Sequence, residues 1–146
     1  MQKRVKDILN VKGHQVWSVA PEDSVFKALE VMAEHDIGAV LVMEGTNLCG
    51  ILSERDYARK VILLGRASQH TPVREIMTRD VMTVGPEEGI EQCMGLMTRC
   101  HIRHLPVVEG DQVIGVVSIG DVVKAVIEDQ AFLLNQMEAY ISGQPG

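Results

Sequence analysis

The chain predicts an α/β (α+β) fold made of two tandem β-α-β-β-α units, and three observations carry that prediction. The first is a repeat. Displaced by 65 residues, Val19, Pro21, Glu22, Met32, Ile37, Val42, Glu44, Gly45, Gly50, Ser53, Asp56, Val61 and Ile62 land on Val84, Pro86, Glu87, Met97, Ile102, Val107, Glu109, Gly110, Gly115, Ser118, Asp121, Val126 and Ile127. Ordinary composition would give roughly three such matches by chance. The second observation is the alternation, inside each copy, of short apolar runs with segments whose apolar residues recur at three- and four-residue steps. The third is that the matched set includes a polar trio, in Gly50-Ile51-Leu52-Ser53-Glu54-Arg55-Asp56 against Gly115-Val116-Val117-Ser118-Ile119-Gly120-Asp121, and not only core aliphatics. A repeated core explains a fold, whereas a repeated Gly, Ser and Asp suggests a repeated site.

In the first copy residues 16–19 read as a short strand, and Pro21-Glu22-Asp23-Ser24 as a turn and helix cap. A helix over 25–35 follows, with Val25, Ala28, Leu29, Met32 and Ala33 on one face. Residues 38–43 are nearly all apolar and too few for a typical helix, so they predict a buried strand. Glu44-Gly45-Thr46-Asn47 turns the chain into a second strand over 48–52, and a helix over 54–64 closes the unit. The second copy repeats the order with a strand over 81–84, a helix over 90–100, strands over 105–108 and 113–117, and a helix over 119–127. That last helix carries Ile119, Val122, Val123, Val126 and Ile127, a stripe too wide to leave in water. It must pack on the other copy or on a second chain.

The domain organisation that follows is a first unit over 1–64, a linker over 65–72, a second unit over 73–128 and a helical tail over 129–146. The linker Gly65-Arg66-Ala67-Ser68-Gln69-His70-Thr71-Pro72 is polar and bounded by Gly and Pro. After it Val73-Arg74-Glu75-Ile76-Met77 echoes Val5-Lys6-Asp7-Ile8-Leu9 at a spacing of 68, which puts three extra residues near Val11-Lys12-Gly13-His14. The tail has Phe132, Leu133, Met137 and Ile141 and predicts a further helix, with Gly143-Gln144-Pro145-Gly146 frayed.

Composition limits the function. The 146 residues are enough to bury a substantial apolar interior, filled by aliphatics and methionine. Aromatics make up 3% of the chain, which argues against stacking platforms for single-stranded nucleic acid. A net charge of −6 argues against general attraction to nucleic acid or an anionic membrane, while a local basic pocket could still hold a small anion. No signal peptide or membrane span is apparent, so a soluble cytoplasmic protein is expected. Cys49, Cys93 and Cys100 form no Cys-x-x-Cys pair and read as buried free thiols. His101 and His104 lack the carboxylate or cysteine partners of a metal site, so no metal is expected. Met94 and Met97 read as core, and His14, His35 and His70 as solvated residues in or near turns.

Ser53 with Asp56, and Ser118 with Asp121, stand three residues apart where a strand ends and a helix begins. One reading is a capping box, in which the serine caps the helix and the aspartate reaches back to a backbone N–H. The other uses the same geometry for a ligand. A helix N-terminus offers N–H donors and partial positive charge to a phosphate beside the serine hydroxyl, while the aspartate accepts from ribose hydroxyls. The residues alone leave both open.

Three ordered pieces resemble a cystathionine-β-synthase (CBS) domain: residues 81–86, His101-Ile102-Arg103-His104-Leu105-Pro106-Val107-Val108, and Gly115 to Asp121. Residues 17–21, 37–42 and 50–56 resemble another. The resemblance covers about residues 5–127 and identifies a stand-alone CBS pair, or Bateman module, whose units pack as a pseudo-twofold pair. It implies a regulatory module with two clefts for adenine-containing nucleotides such as AMP, ADP, ATP or, in some members, NAD(H), and no catalytic cofactor. In such modules the motif aspartate, here Asp56 and Asp121, holds the ribose, and the serine, here Ser53 and Ser118, lies near phosphate. The first strand lends backbone groups to the base, which points to Ser18, Val19, Thr83 and Val84. Residues ahead of the Leu-Pro-Val strand reach the phosphates, which points to Arg103 and His104.

The two clefts are expected to differ. Where the second copy has Arg103 and His104 the first has Gly38 and Ala39, and where the first has Arg55 the second has Gly120. Arg55 could replace the missing clamp, Arg103 could serve both clefts if they face each other, and the small Gly38 and Ala39 could admit a dinucleotide. The resemblance also implies a homodimer through the helices over 54–64 and 119–127, and a regulated partner protein that the sequence does not identify. Two other functions stay open. A nucleotide-acting enzyme would need His104 as its base, and a purely structural dimerisation adaptor would use the serines and aspartates only as caps.

Overall fold

The computed structural model describes residues 3–142. Helix α1 (Val5–Lys12) is followed by strand β1 (Ser18–Val19), helix α2 (Val25–His35), strands β2 (Ala39–Glu44) and β3 (Asn47–Ser53), and α3 (Glu54–Tyr57), which runs on as a π-helical turn over Ala58–Ile62. Short 3-10 turns at Ser68–His70 and Val73–Glu75 lead to α4 (Ile90–Cys100), β4 (His104–Glu109), β5 (Gln112–Ser118) and α5 (Ile119–Ile141). The mixed α/β composition is the one the repeat predicts, and α2 and α4 begin and end at the expected residues.

Three elements differ from expectation. The strand expected over 81–84 reduces to one parallel bridge between Val84 and Val107. Val84 is buried and bonds β4 through both its N–H and its carbonyl, whereas Met82 and Thr83 are exposed and make no backbone hydrogen bond to β4 among the described residues. The helix over 54–64 widens after Tyr57, where the Leu63 N–H donates to the Ala58 carbonyl five residues back at 3.2 Å. The helix over 119–127 and the tail helix are one helix, because no Gly or Pro interrupts residues 121–141. The expected fraying at Gly143, Gln144, Pro145 and Gly146 lies outside the described residues.

The two copies agree in backbone as well as in sequence. Strands β1, β2 and β3 form one sheet in that order, β1 parallel and β3 antiparallel to β2, while β4 and β5 form an antiparallel hairpin. Each hairpin slips register at the equivalent place, after Val42 and after Val107. Each turns on a glycine, Gly45 at φ 64° and Gly110 at φ 63°, a conformation that costs glycine little. Helices α2 and α4 both end on a left-handed residue, Asp36 at φ 52° and His101 at φ 54°, whose N–H donates to Met32 or Met97.

The packing cuts across the repeat. Residues 15–82 form one compact unit, and the segments before and after them form the other. Val73, Ile76 and Met77 lie in the core with Val19, Val25 and Leu52 of the first copy. Val5, Ile8 and Leu9 lie in the core with Val84, Leu105 and Val117 of the second. The segment that leads each repeat in sequence therefore fills the core of the other repeat.

The repeated glycines make room for this exchange. A Cβ on Gly115 would sit 2.7 Å from Cδ2 of Leu9, and one on Gly50 would sit 2.7 Å from Sδ of Met77 and 2.8 Å from the Thr78 carbonyl oxygen. The glycine of Gly-x-x-Ser-x-x-Asp is thus a seat for a core side chain. Leu9 is 1% exposed, so Leu9→Ala should cost about 2–5 kcal/mol in equilibrium denaturation. Gly50→Ala should cost about 1–3 kcal/mol. It should exceed Gly115→Ala, because Thr78 presents fixed backbone where Leu9 presents the end of a side chain. Equal stability of all three variants and the parent would refute the packing account.

Candidate functional site

The unit of residues 15–82 places its candidates at one end of its sheet. Ser53 ends β3 opposite Ala39 of β2, and Ser18 lies on β1 in the row of Leu41 and Ile51, two residues away. Two residues of strand are roughly 7 Å. At the turn into α3 the Ser53 hydroxyl accepts from the Asp56 N–H at 3.2 Å and donates to Asp56 Oδ2 at 3.1 Å. Asp56 Oδ2 accepts from the Ser53 N–H at 3.0 Å. The capping box is complete, and Asp56 has a further partner in Lys60, one turn along, whose Nζ lies 3.2 Å from Oδ1 and donates to the Ile76 carbonyl at 3.0 Å.

The other unit repeats the turn. The Ser118 hydroxyl accepts from the Asp121 N–H at 3.2 Å, and Asp121 Oδ2 accepts from the Ser118 N–H at 2.9 Å. Here too an ammonium stands on the carboxylate, but it comes from the far end of the chain. Lys12 Nζ, at the end of α1, lies 2.6 Å from Asp121 Oδ2 and donates to the Val116 carbonyl at 2.9 Å. Thr83 and Val84 run beside β4, Thr83 exposed and Val84 buried, with Val84 level with Val107. That puts Thr83 in the row equivalent to Ser18.

Electrostatics separates the two turns. Partial burial works against the Asp121 carboxylate, but the Lys12 ammonium and the Ser118 backbone and hydroxyl outweigh it and hold its pKa below the ordinary 3.8. His104 opens β4 directly across from Ser118. Burial first, then the positive charges of Lys12 and Arg103, lower its pKa below 6.5 against the opposing pull of Asp121. These influences favour the neutral form of His104.

Arg103 is exposed, and its carbonyl accepts from the Ile119 N–H at 2.8 Å, as the Gly38 carbonyl accepts from Glu54 at 3.0 Å. Backbone roles at these positions are shared between copies while the side chains differ. Arg55 is exposed on the first turn of α3. At Gly120 a Cβ would meet nothing closer than Ser118 Oγ at 3.6 Å, so the glycine is not required by packing there.

The structure brings Ser53 to Asp56, Ser118 to Asp121, and His104 to Ser118, and it adds Lys60 and Lys12. Lys60 was readable as an i, i+4 partner of Asp56. Lys12 was not, because 109 residues separate it from Asp121. Other expectations are corrected. Of the three free thiols only Cys93 is buried; burial, then the charge of Glu88, raises its pKa to about 11. Cys49 is half-buried and Cys100 exposed. His35 is no solvated turn residue: it ends α2 and stacks on Trp17 with ring centroids 3.5 Å apart. His14 is exposed outside any helix or strand, as expected, with its Nδ1 2.9 Å from the Ile114 carbonyl oxygen. Among the described residues no three or more His, Cys, Asp or Glu cluster as metal ligands, and no helix is long and apolar enough to cross a membrane.

Comparison with known proteins gives this geometry a family. The CBS-domain family model matches residues 5–62 and 73–128. The CBS domain-containing protein CBSX3, mitochondrial, of Arabidopsis thaliana is 40% identical over 149 residues, spanning 95% of this chain and 72% of its own. The crystal structure of the CBS domain protein NE2398 is 49% identical with a TM-score of 0.83, over 87% of this chain and 99% of that one. The CBS domain pair of protein MJ0100, solved with 5'-methylthioadenosine and S-adenosyl-L-methionine, shares the fold at 24% identity and a TM-score of 0.78, over 88% and 99% of the two chains. A model match over both repeats and relatives of this identity decide the assignment: the chain belongs to the CBS-domain family and is a tandem pair of its domains.

Proposed function

We propose that the chain is a regulatory module whose two Ser/Asp turns hold the ribose and phosphate of adenine-containing nucleotides, and that it reports their binding to a partner protein. The observation that carries this reading is the lysine beside each motif aspartate, drawn from α3's π turn in one unit and from α1 in the other. A cap needs no ammonium. A ligand with hydroxyls for the carboxylate and phosphate for the ammonium satisfies both groups, and a helix N-terminus favours the same anion. The adenosine ligands of the MJ0100 pair belong to the same chemical class.

Within this reading Asp56 and Asp121 take ribose hydroxyls, Ser53 and Ser118 lie near phosphate, and Ser18, Val19, Thr83 and Val84 serve the base. Arg103, His104 and Lys12 supply the phosphate end in one unit, and Arg55 and Lys60 in the other, with Gly120 leaving open the space that Arg55 fills. The ligands are AMP, ADP or ATP, or NAD(H) where Gly38 and Ala39 leave room. Regulation requires that the nucleotide bind one state of the module more tightly than another. Two copies associate through the helices over 54–64 and 119–127, whose Ile62, Leu63, Leu64, Val123 and Ile127 are exposed. The cytoplasm is taken as the location; CBSX3 is named mitochondrial, so cell fractionation is the deciding measurement.

A melting screen against AMP, ADP, ATP, GTP, NAD and NADH tests the reading. A ligand at a hundredfold its dissociation constant adds about 2.7 kcal/mol. Asp56→Ala and Asp121→Ala, each compared with its own unliganded melting point, should each lose part of the response. Parent-like responses in both variants would refute the ribose assignment, and no response in the parent would favour the structural adaptor. Turnover of ATP or NADH, abolished in His104→Ala, would instead make the protein an enzyme.

Lys12 gives an independent check in the free protein. The folded pKa of Asp121 is depressed, so its contribution to stability is present above the ordinary 3.8 and is lost as pH falls through the folded value. Lys12→Met should raise the Asp121 titration, read by carboxyl NMR. It should cost only about 0.5 kcal/mol at neutral pH, since the pair is partly exposed. The same variant should weaken ATP more than adenosine; equal weakening would remove Lys12 from the phosphate end.

A further inference from the structure

Helix α5 is 23 residues long, and its early turns close its own unit, where Val122 and Ala125 are buried. The rest of the helix keeps an apolar face that no other described residue covers. Val123, Ile127, Leu134, Met137 and Ile141 are 40%, 59%, 60%, 51% and 80% exposed. Together with Gln130 they follow one another at alternating steps of four and three residues. That is the spacing of a two-helix seam, with Ile127, Leu134 and Ile141 at a, and Val123, Gln130 and Met137 at d. The side of the helix that bears Val122 and Ala125 also bears Asp129, which accepts from the Lys3 N–H at 2.9 Å. The seam therefore points away from the helix's own unit.

The flanking charges select the occupant and its direction. Lys124 and Glu138 each follow a d residue, at equivalent e positions two heptads apart. In a parallel pair an e residue meets a g residue of the other helix, and the g positions are Val126, Leu133 and Tyr140, none of them charged. In an antiparallel pair e meets e, so Lys124 of each copy meets Glu138 of the other, twice by twofold symmetry. Val123 then faces Ile141, Ile127 faces Met137, and Gln130 faces Leu134. We propose that residues 123–141 pair with the same segment of a second copy as an antiparallel two-helix seam centred near residue 132. Nineteen residues make a seam of roughly 28 Å. An isolated helix of that length is marginal, but α5 is already nucleated by its buried early turns. The seam needs no nucleotide, and it takes Val123 and Ile127 of the helix over 119–127 into its own contact, extending the dimer contact proposed above.

The test uses the full chain with Cys49→Ser and Cys100→Ser, into which Val123→Cys and Ile141→Cys are introduced separately. The two proteins are co-expressed and oxidised, and each is also oxidised alone. An interchain disulfide is expected in the co-expressed sample and in neither protein alone, where like positions are about 27 Å apart along the seam. Cross-linking of Ile141→Cys alone would mean a parallel pair and would overturn the proposal. No cross-link in a sample that sediments as a dimer would overturn the seam and leave the other dimer contacts standing, whereas a monomer would overturn both. In the parent sequence, Lys124→Glu and Glu138→Lys should each weaken the dimer by about fivefold. The double variant should return to parental affinity; if it is weaker than either single variant, the antiparallel register is wrong.

Discussion

The structure depends on the way Leu9 and Met77 are seated over glycines. Each side chain comes from the segment that leads one repeat and is buried against a strand of the other, where Gly115 or Gly50 leaves the space of a missing Cβ. A fully buried leucine contributes about 1.5–3 kcal/mol, a large fraction of the net stability of a small unit. The exchange also fixes where α1 ends. Because Leu9 is held under β5, Lys12 three residues later lies beside Val116 and Asp121. A core contact thus places a charged one.

The same placement explains why one motif residue changed meaning. Sequence comparison groups Gly, Ser and Asp as a single repeated site, but Gly50 and Gly115 are packing residues while Ser53, Asp56, Ser118 and Asp121 form capping boxes. A capping box is worth about 1 kcal/mol, which suffices to account for the serine and aspartate without a ligand. What the box leaves unexplained is the lysine on each carboxylate. That pairing is reached by two unrelated routes, Lys60 within the same helical segment and Lys12 across 109 residues.

Local signals in the sequence were read correctly wherever local chemistry decides the structure. Ser24 caps α2, the apolar spacing marks its buried face, and Gly45 and Gly110 turn the hairpins. The readings failed where a distant segment decides. Strand 81–84 has the composition of a strand but keeps only Val84 on the sheet. The π turn after Tyr57 leaves no mark in composition. The echo of Val5–Leu9 in Val73–Met77 was visible as a repeat at a different spacing, yet nothing in either segment says that each packs on the other copy. Lys12 was missed for that reason, although the motif aspartate it pairs with was in plain view.

The unequal origin of the two lysines gives the two turns different mechanical consequences. Lys60 is one turn from Asp56, so a ligand that drew it away would act within one helical segment and on its bond to Ile76. Lys12 ends a helix whose Leu9 and Val5 are in the core, and it bonds both Asp121 and the β5 backbone. On the reading proposed above, a phosphate that drew Lys12 from Asp121 would act on α1 and on the first turn of α5 together. Such a displacement would be opposed by the packed core that holds Val5 and Leu9. Of two turns with one design, the turn at Asp121 is the one tied across a sequence separation of 109 residues, from the end of α1 to β5 and the first turn of α5.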